Sequence, residues 1–315
     1  MKKSSVVVMT VLASACMVAL ADQTFNSSNQ LEPLEPTPVV TNGEPTDESP
    51  QRWFVELSGA PTADGGARDG VKAEKQAFRA NARAARLNYI EHYAFDGLFN
   101  GFSISVSRAQ LSTLMRVPGV KAIYPVETIA MPPPGESNPQ LFTALSMTGA
   151  DIAQNALGLD GGGIKVAVMD PGIDIDHPDL GGGGTNGGTA FPSARVIAGW
   201  DFVGDAFNAD PSSPSYNPVP TPDANPDDCG GHGTHVAGIV GANGAVTGVA
   251  PNVSFGAYRV FGCSGSTTAD IMIAAMERAL DDDMDVLNMS IGSTYQWPEY
   301  PTAKAATRLV NKGVV

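Results

Sequence analysis

The sequence predicts an α/β protein, a parallel sheet with helices on both faces, preceded by a small α+β module. Three observations point there. The run Ile164 to Met169 ends in Asp170 and reads as a buried strand. Val253 to Phe261 reads as a second core strand, and residues 269–280 after it are apolar nearly all round, as in a helix buried between layers. Strand, helix and strand in this order build right-handed crossovers and a parallel sheet. Between residues 52 and 125, by contrast, short strand-like runs flank one long helical stretch.

Residues 1–21 carry Lys2 and Lys3, an uncharged run from Val6 to Leu20, and Ala19-Leu20-Ala21 before Asp22. That is the pattern of a secretory signal with its cleavage site, and the run is too short to serve as a membrane anchor. A lipidated Cys16 is the alternative, but Ala13 stands where such signals usually carry leucine. Soluble export is expected, and cleavage after Ala21 leaves two cysteines, Cys229 and Cys263. Residues 22–50 hold Pro33, Pro36, Pro38, Pro45 and Pro50 with six acidic and no basic residues, so they read as a solvated linker.

The module spans residues 51–130. Trp53 to Leu57 reads as a strand, and 71–90 as a helix with Phe78, Ala82, Ala85 and Tyr89 on one face. Phe102 to Val106 alternates as a strand, 109–115 is a short helix, and 120–125 is a further strand. This segment carries ten basic against seven acidic residues, whereas residues 131–315 carry seven against twenty. Opposite net charge favours association of the two parts. The acidic part also excludes nucleic acid as a partner, since a phosphate backbone is repelled. Pro132-Pro133-Pro134-Gly135 is an exposed junction suited to cleavage, though the bond cut is not readable.

In residues 131–315 a helix is expected around 151–157, a glycine hinge at 161–163, and surface loops at 181–188 and 210–226. The second loop reads as solvated, with calcium binding as the alternative. Thr267, with Asp270 three residues on, is the expected N-cap of the helix that opens near Ala269.

Two residues stand out chemically. The carboxylate of Asp170 emerges at the C-terminal edge of its strand, where open α/β sheets place ligands. His232 lies between Gly231 and Gly233 and opens a helical pattern, which puts it at a helix N-terminus. A strand-end Asp-Pro-Gly is otherwise a turn, and a lone histidine is otherwise a satisfied core group. Zinc is a rival reading: Cys229, His232 and His235 stand at C-x-x-H-x-x-H spacing and Cys263 would complete four ligands. Export argues against it, because an oxidising compartment pairs cysteines instead.

Val166 to Leu180, Asp228 to Ala242 and Val286 to Ser293 occur in that order, and together they resemble the subtilisin-like serine proteases, the subtilases. The likeness covers roughly the last half of the chain. It implies that Asp170 orients His232, that His232 is the general base, and that a serine further along is the nucleophile. It also implies that Ser290, Ile291 and Gly292 line the substrate cleft, that Gly265 marks its opposite edge, and that Cys229 and Cys263 form a disulfide beside His232. By the same resemblance, residues 51–130 are a ferredoxin-like propeptide that helps residues 131–315 fold and then inhibits them. The implied partners are a peptide or protein substrate and this propeptide, with secretion, no required cofactor and no metal.

Four features depart from the family pattern. Pro171 follows the aspartate where a hydroxyl residue is usual, so Asp170 loses a supporting donor. The stretch between the HGTHVAG motif and Gly248 is short, which leaves Asp179, a match to a calcium ligand, without that role. Gly265 is a reduced version of the edge strand. Neither a Gly-Thr-Ser serine motif nor the asparagine segment of the oxyanion hole is present, and Ser290 falls in the substrate strand. The expected object is a signal, a propeptide and the first portion of a peptidase domain with an incomplete sheet, itself inactive. A non-catalytic inhibitory or binding protein, with the module as its working part, is the alternative of a different class.

Overall fold

The computed structural model describes residues 51–133, 141–293 and 297–315. The signal, the linker and part of the proline-rich junction lie outside the described residues.

The module is a four-stranded antiparallel sheet backed by a helix. Its strands are β1 (Arg52–Leu57), β2 (Tyr89–Phe95), β3 (Gly101–Val106) and β4 (Val120–Pro125), in the order β2-β3-β1-β4. Helix α1 (Arg68–Ala84) lies between β1 and β2, and α2 (Leu111–Leu114) between β3 and β4. The predicted helix over 71–90 is corrected here. It stops at Ala84, Arg86 takes a left-handed turn at φ 55°, and Tyr89 opens β2. The cause is local: β2 is rich in aromatic residues and pairs with β3 along its length. Phe78 and Ala82 do face the core, but Ala85 is exposed and Tyr89 meets Phe78 from the strand.

Period two decides what each strand buries. Val55, Leu57, Phe102, Ile104 and Val106 point at α1 and enclose Phe78 and Leu114. The intervening residues Phe54, Glu56, Ser103 and Ser105 point the other way. That second face is covered by protein, not water: Phe54 and Ser103 are both fully buried.

Three further elements lead away from the module. β5 (Thr128–Ala130) is a short strand, followed by α3 (Leu141–Thr148) and α4 (Ala150–Leu157). The remainder is a parallel sheet of β6 (Lys165–Asp170), β7 (Val196–Asp201), β8 (Ser254–Arg259) and β10 (Val286–Asn288), ordered β10-β6-β8-β7. Val166 and Val168 of β6, with Phe255 and Ala257 of β8, pack under α5 (His232–Gly241) through Val236 and Ala237. Ala167, Met169 and Tyr258 face the opposite side, towards α6 (Ala269–Asp281) and α7 (Pro301–Asn311). Both faces of the sheet are therefore helix-covered, as the apolar runs require.

Strand β9 (Ser266–Thr268) precedes α6 and pairs antiparallel with β5. The cap expected at Thr267 is not formed. Thr268 is the N-cap residue and makes no side-chain cap bond; its Oγ1 accepts from Arg52 Nη1 at 3.5 Å, and Asp270 is turned towards Ser103. The strand expected over 286–293 is regular only to Asn288. At the other end of the chain, Leu287 N–H donates to Val315 O and Val315 N–H to Asp285 O, so the last residue lies alongside β10. Phe142, Met147, Ile152 and Leu157 on α3 and α4 are exposed.

Candidate active site

β6 delivers Asp170 to the end of the parallel sheet with its side chain fully buried. α5 delivers His232 as its first residue, and Gly231 before it adopts φ 81°, a left-handed turn that a side chain would strain. The helix can approach this closely because Gly233 has no side chain; a Cβ there would stand 2.9 Å from that of Asp170. The result is a contact of 2.5 Å between His232 Nδ1 and Asp170 Oδ1. In that arrangement Nδ1–H donates to the carboxylate and Nε2 is left to exchange a proton with a reactant.

The second oxygen of Asp170 is buried and has no hydrogen-bond partner. The neighbouring residue explains why: Pro171 has neither hydroxyl nor N–H to offer. Burial pushes the carboxyl up to about 6, opposed by the bond and charge of His232 and reinforced by the negative charge of Asp228.

Cys229 and Cys263 are joined in a disulfide with Cα atoms 5.1 Å apart. The bond ties the loop before His232 to the loop after β8. It also removes the zinc reading, because both sulfurs of the four-ligand set are committed to each other and His232 is turned to Asp170. Arg259 lies against the pair, its Nη2 donating to Cys229 Sγ at 2.9 Å while Nη1 contacts Asp201 and Asp205.

Asp179 accepts from Ala245 N–H at 2.8 Å and Val246 N–H at 3.2 Å. Donors, not further oxygens, face this carboxylate, so the residues around it do not fit a calcium ion there. The short loop after α5 folds onto it instead.

Gly265 accepts from Met131 N–H at 3.0 Å, directly ahead of the β5–β9 pair, so an extended segment lies along this edge. More strand survives here than the lone glycine suggested. Ile291 and Gly292 line an apolar cavity of about 500 Å³ together with Ile129, Met272, Met276 and Tyr300. Ser290 is exposed, its Oγ accepting from Asn288 Nδ2 at 3.0 Å. The predicted cleft residues thus flank the tail of the module, Gly265 by backbone and Ile291 and Gly292 through the cavity.

Residues 161–314 match the profile described as the subtilase family. The segment belongs to the subtilases. Among curated subtilases, Minor extracellular protease Vpr of Bacillus subtilis is 35% identical over 231 residues, covering 70% of this chain and 26% of that protein. Subtilisin DY of Bacillus licheniformis is 37% identical over 147 residues, covering 45% of this chain and 42% of its own length. The matched part of the chain therefore spans about a quarter of the first relative and about two fifths of the second. A solved structure of a mutant of the epidermin leader peptide processing serine protease from Staphylococcus aureus superposes with a TM-score of 0.58 at 21% identity, over 84% of this chain and 59% of that one. The last likeness concerns the fold alone.

The sequence reading gave no role to Asp228 or Glu277 and placed Asp270 only beside a helix cap, yet all three matter in the subtilase segment. Asp228 gathers four hydrogen bonds ahead of α5. Asp270 accepts from Ser103 Oγ at 2.5 Å and pairs with Arg52 at 3.4 Å. Glu277 accepts from the Gly97 and Leu98 amides at 2.9 and 2.7 Å. For the last two the available signal was a pair of acids seven residues apart on one face of an otherwise apolar helix.

Proposed function

We propose that this chain is the precursor form of a secreted serine endopeptidase, with residues 51–130 its inhibitory propeptide. The observation that carries the reading is the 2.5 Å contact of a buried aspartate with a histidine at a helix start. In this reading Asp170 holds the imbalanced charge, and His232 takes the proton of an attacking serine and returns it to the leaving amine. In this reading the nucleophile is the serine of a Gly-Thr-Ser motif, which does not occur among the 315 residues.

The substrate is an extended peptide or protein segment laid between Gly265 and Ser290 to Gly292. Support comes from β5, which already occupies that edge as an antiparallel strand. Secretion is supported by the leader-like residues 1–21 and by the extracellular name of the Vpr relative. No helix among the described residues is long and apolar enough to cross a membrane.

The test treats the 315-residue chain and a product extended through a serine motif with a fluorophosphonate probe. The extended product is expected to label and to hydrolyse peptides, with His232→Ala removing about six orders of magnitude in rate, as the general subtilisin precedent has it. Labelling of the 315-residue chain would place the nucleophile inside it and overturn the assignment.

A further inference from the structure

More donors converge on Asp228 than on Asp170. Its Oδ1 accepts from Gly230 N–H at 2.7 Å and Gly231 N–H at 2.9 Å. Its Oδ2 accepts from Thr234 N–H at 2.9 Å and from the Thr234 hydroxyl at 2.5 Å. These donors bracket His232 on both sides. Thr234 Oγ1 in turn accepts from Asp174 N–H at 2.9 Å, on the segment that leaves β6. One carboxylate thus fixes the first turn of α5 and links it to the strand that carries Asp170.

The same group acts through space. Its negative charge adds to the burial that raises Asp170. The other charged groups nearby are engaged elsewhere: Asp227 accepts from Ile175 N–H and faces Asp174 and Asp176, and Arg259 serves Asp201, Asp205 and the disulfide. Asp228 is therefore the acid that holds the backbone on either side of the histidine and also contributes to the field at the aspartate.

We propose that Asp228 is a positioning residue for the Asp170–His232 pair, holding the helix turn that presents the imidazole and setting the electrostatic field in which the pair shares its proton. The inference rests on the catalytic reading above, but its test needs no turnover. Failure to hydrolyse by an extended product would remove the catalytic reading and leave the measurement below intact.

The experiment follows the titration of Asp170 by carboxyl-detected NMR in the full chain, beside thermal midpoints. Asp228→Asn removes the charge and should move the Asp170 titration to lower pH by about 0.3 to 0.5 unit, a two- to threefold change in proton affinity. Thr234→Val removes both hydroxyl bonds, to Asp228 and from Asp174 N–H, and keeps the charge; it should lower the thermal midpoint and leave the titration within about 0.1 unit. Asp281→Asn, on the exposed end of α6, should move neither. If Asp228→Asn does not fold, Asp228→Ser keeps a neutral acceptor at the helix start and is read the same way. An unchanged titration in the neutral variant, or an equal shift in Thr234→Val, overturns the proposal and leaves Asp228 as an ordinary cap.

Discussion

The dyad and the seam between the module and α6–α7 both bury carboxylates, and they treat them oppositely. At the dyad, Asp170 has one partner and an oxygen with none. At the seam, Asp270 accepts from Ser103, Arg52 and the Ile271 amide, and Glu277 from two backbone amides of the module. Tyr300 closes the seam between them, accepting from Glu127 N–H and donating to Pro125 O. A contact surface gains by satisfying each polar group it covers, whereas Asp170 lacks the donor that Pro171 cannot supply and its buried carboxyl is pushed up.

The largest expected effect breaks the brace of the dyad. Replacing Cys229 and Cys263 by serine opens a loop of 34 positions and should cost about 3 to 4 kcal/mol in the loop-entropy account. Denaturant midpoints with and without reductant measure it, and an unchanged midpoint would mean that the bond is idle.

Next comes the seam. Burial pushes Glu277 up to about 7 from an ordinary 4.5, more than its backbone bonds pull it down. A raised carboxyl contributes its full stability below the ordinary value and loses it as pH rises through the folded one. The thermal midpoint of the chain should therefore fall between about pH 4.5 and 7. Asp170 adds a similar fall below about 6, so Glu277→Gln should flatten the slope above about pH 6 and lessen it below. A slope unaltered by that substitution would assign it to other groups.

Pro171→Ser sharpens the contrast from the other side. A hydroxyl and an N–H beside the unmatched oxygen should bring Asp170 down from about 6 by roughly one unit, making the dyad resemble the seam. Carboxyl-detected NMR reads this directly.

The smallest effect concerns the ion pairs of the seam, and among them an exposed one. Net charge predicts that the basic module is held by an acidic partner, and Arg52–Asp270 runs that way. Glu56–Lys304 and Asp64–Arg308 run in reverse, because local contacts follow neighbours and not totals. Asp64→Asn should cost under about 1 kcal/mol and nothing measurable in molar salt; a larger loss would show that this pair is cooperative with the Arg308 bond to Leu98 O.

The dyad was legible because its determinants are local: an apolar run that stops at Asp170, and glycines on either side of His232. The seam was not. The alternation of Phe102 to Val106 reveals two faces of β3, but nothing in that alternation says that Ser103 looks towards α6 instead of water. β2 was lost to a helix because Ala85 and Tyr89 satisfy helical spacing, and the left-handed Arg86 that separates them has no sequence signal of its own. The lone Gly265 understated β9, since a three-residue strand exists only by virtue of its partner.

One apolar cluster crosses the seam: Phe54, Phe95 and Phe99 of the module pack with Met276 of α6 and with Tyr300 ahead of α7. Hydrophobic side chains that share a single core lose and regain their neighbours together. Residues 51–130 and the α6–α7 side of the sheet should accordingly melt as one cooperative block, with the slowest amide exchange of α6 set by the integrity of a strand more than two hundred positions earlier.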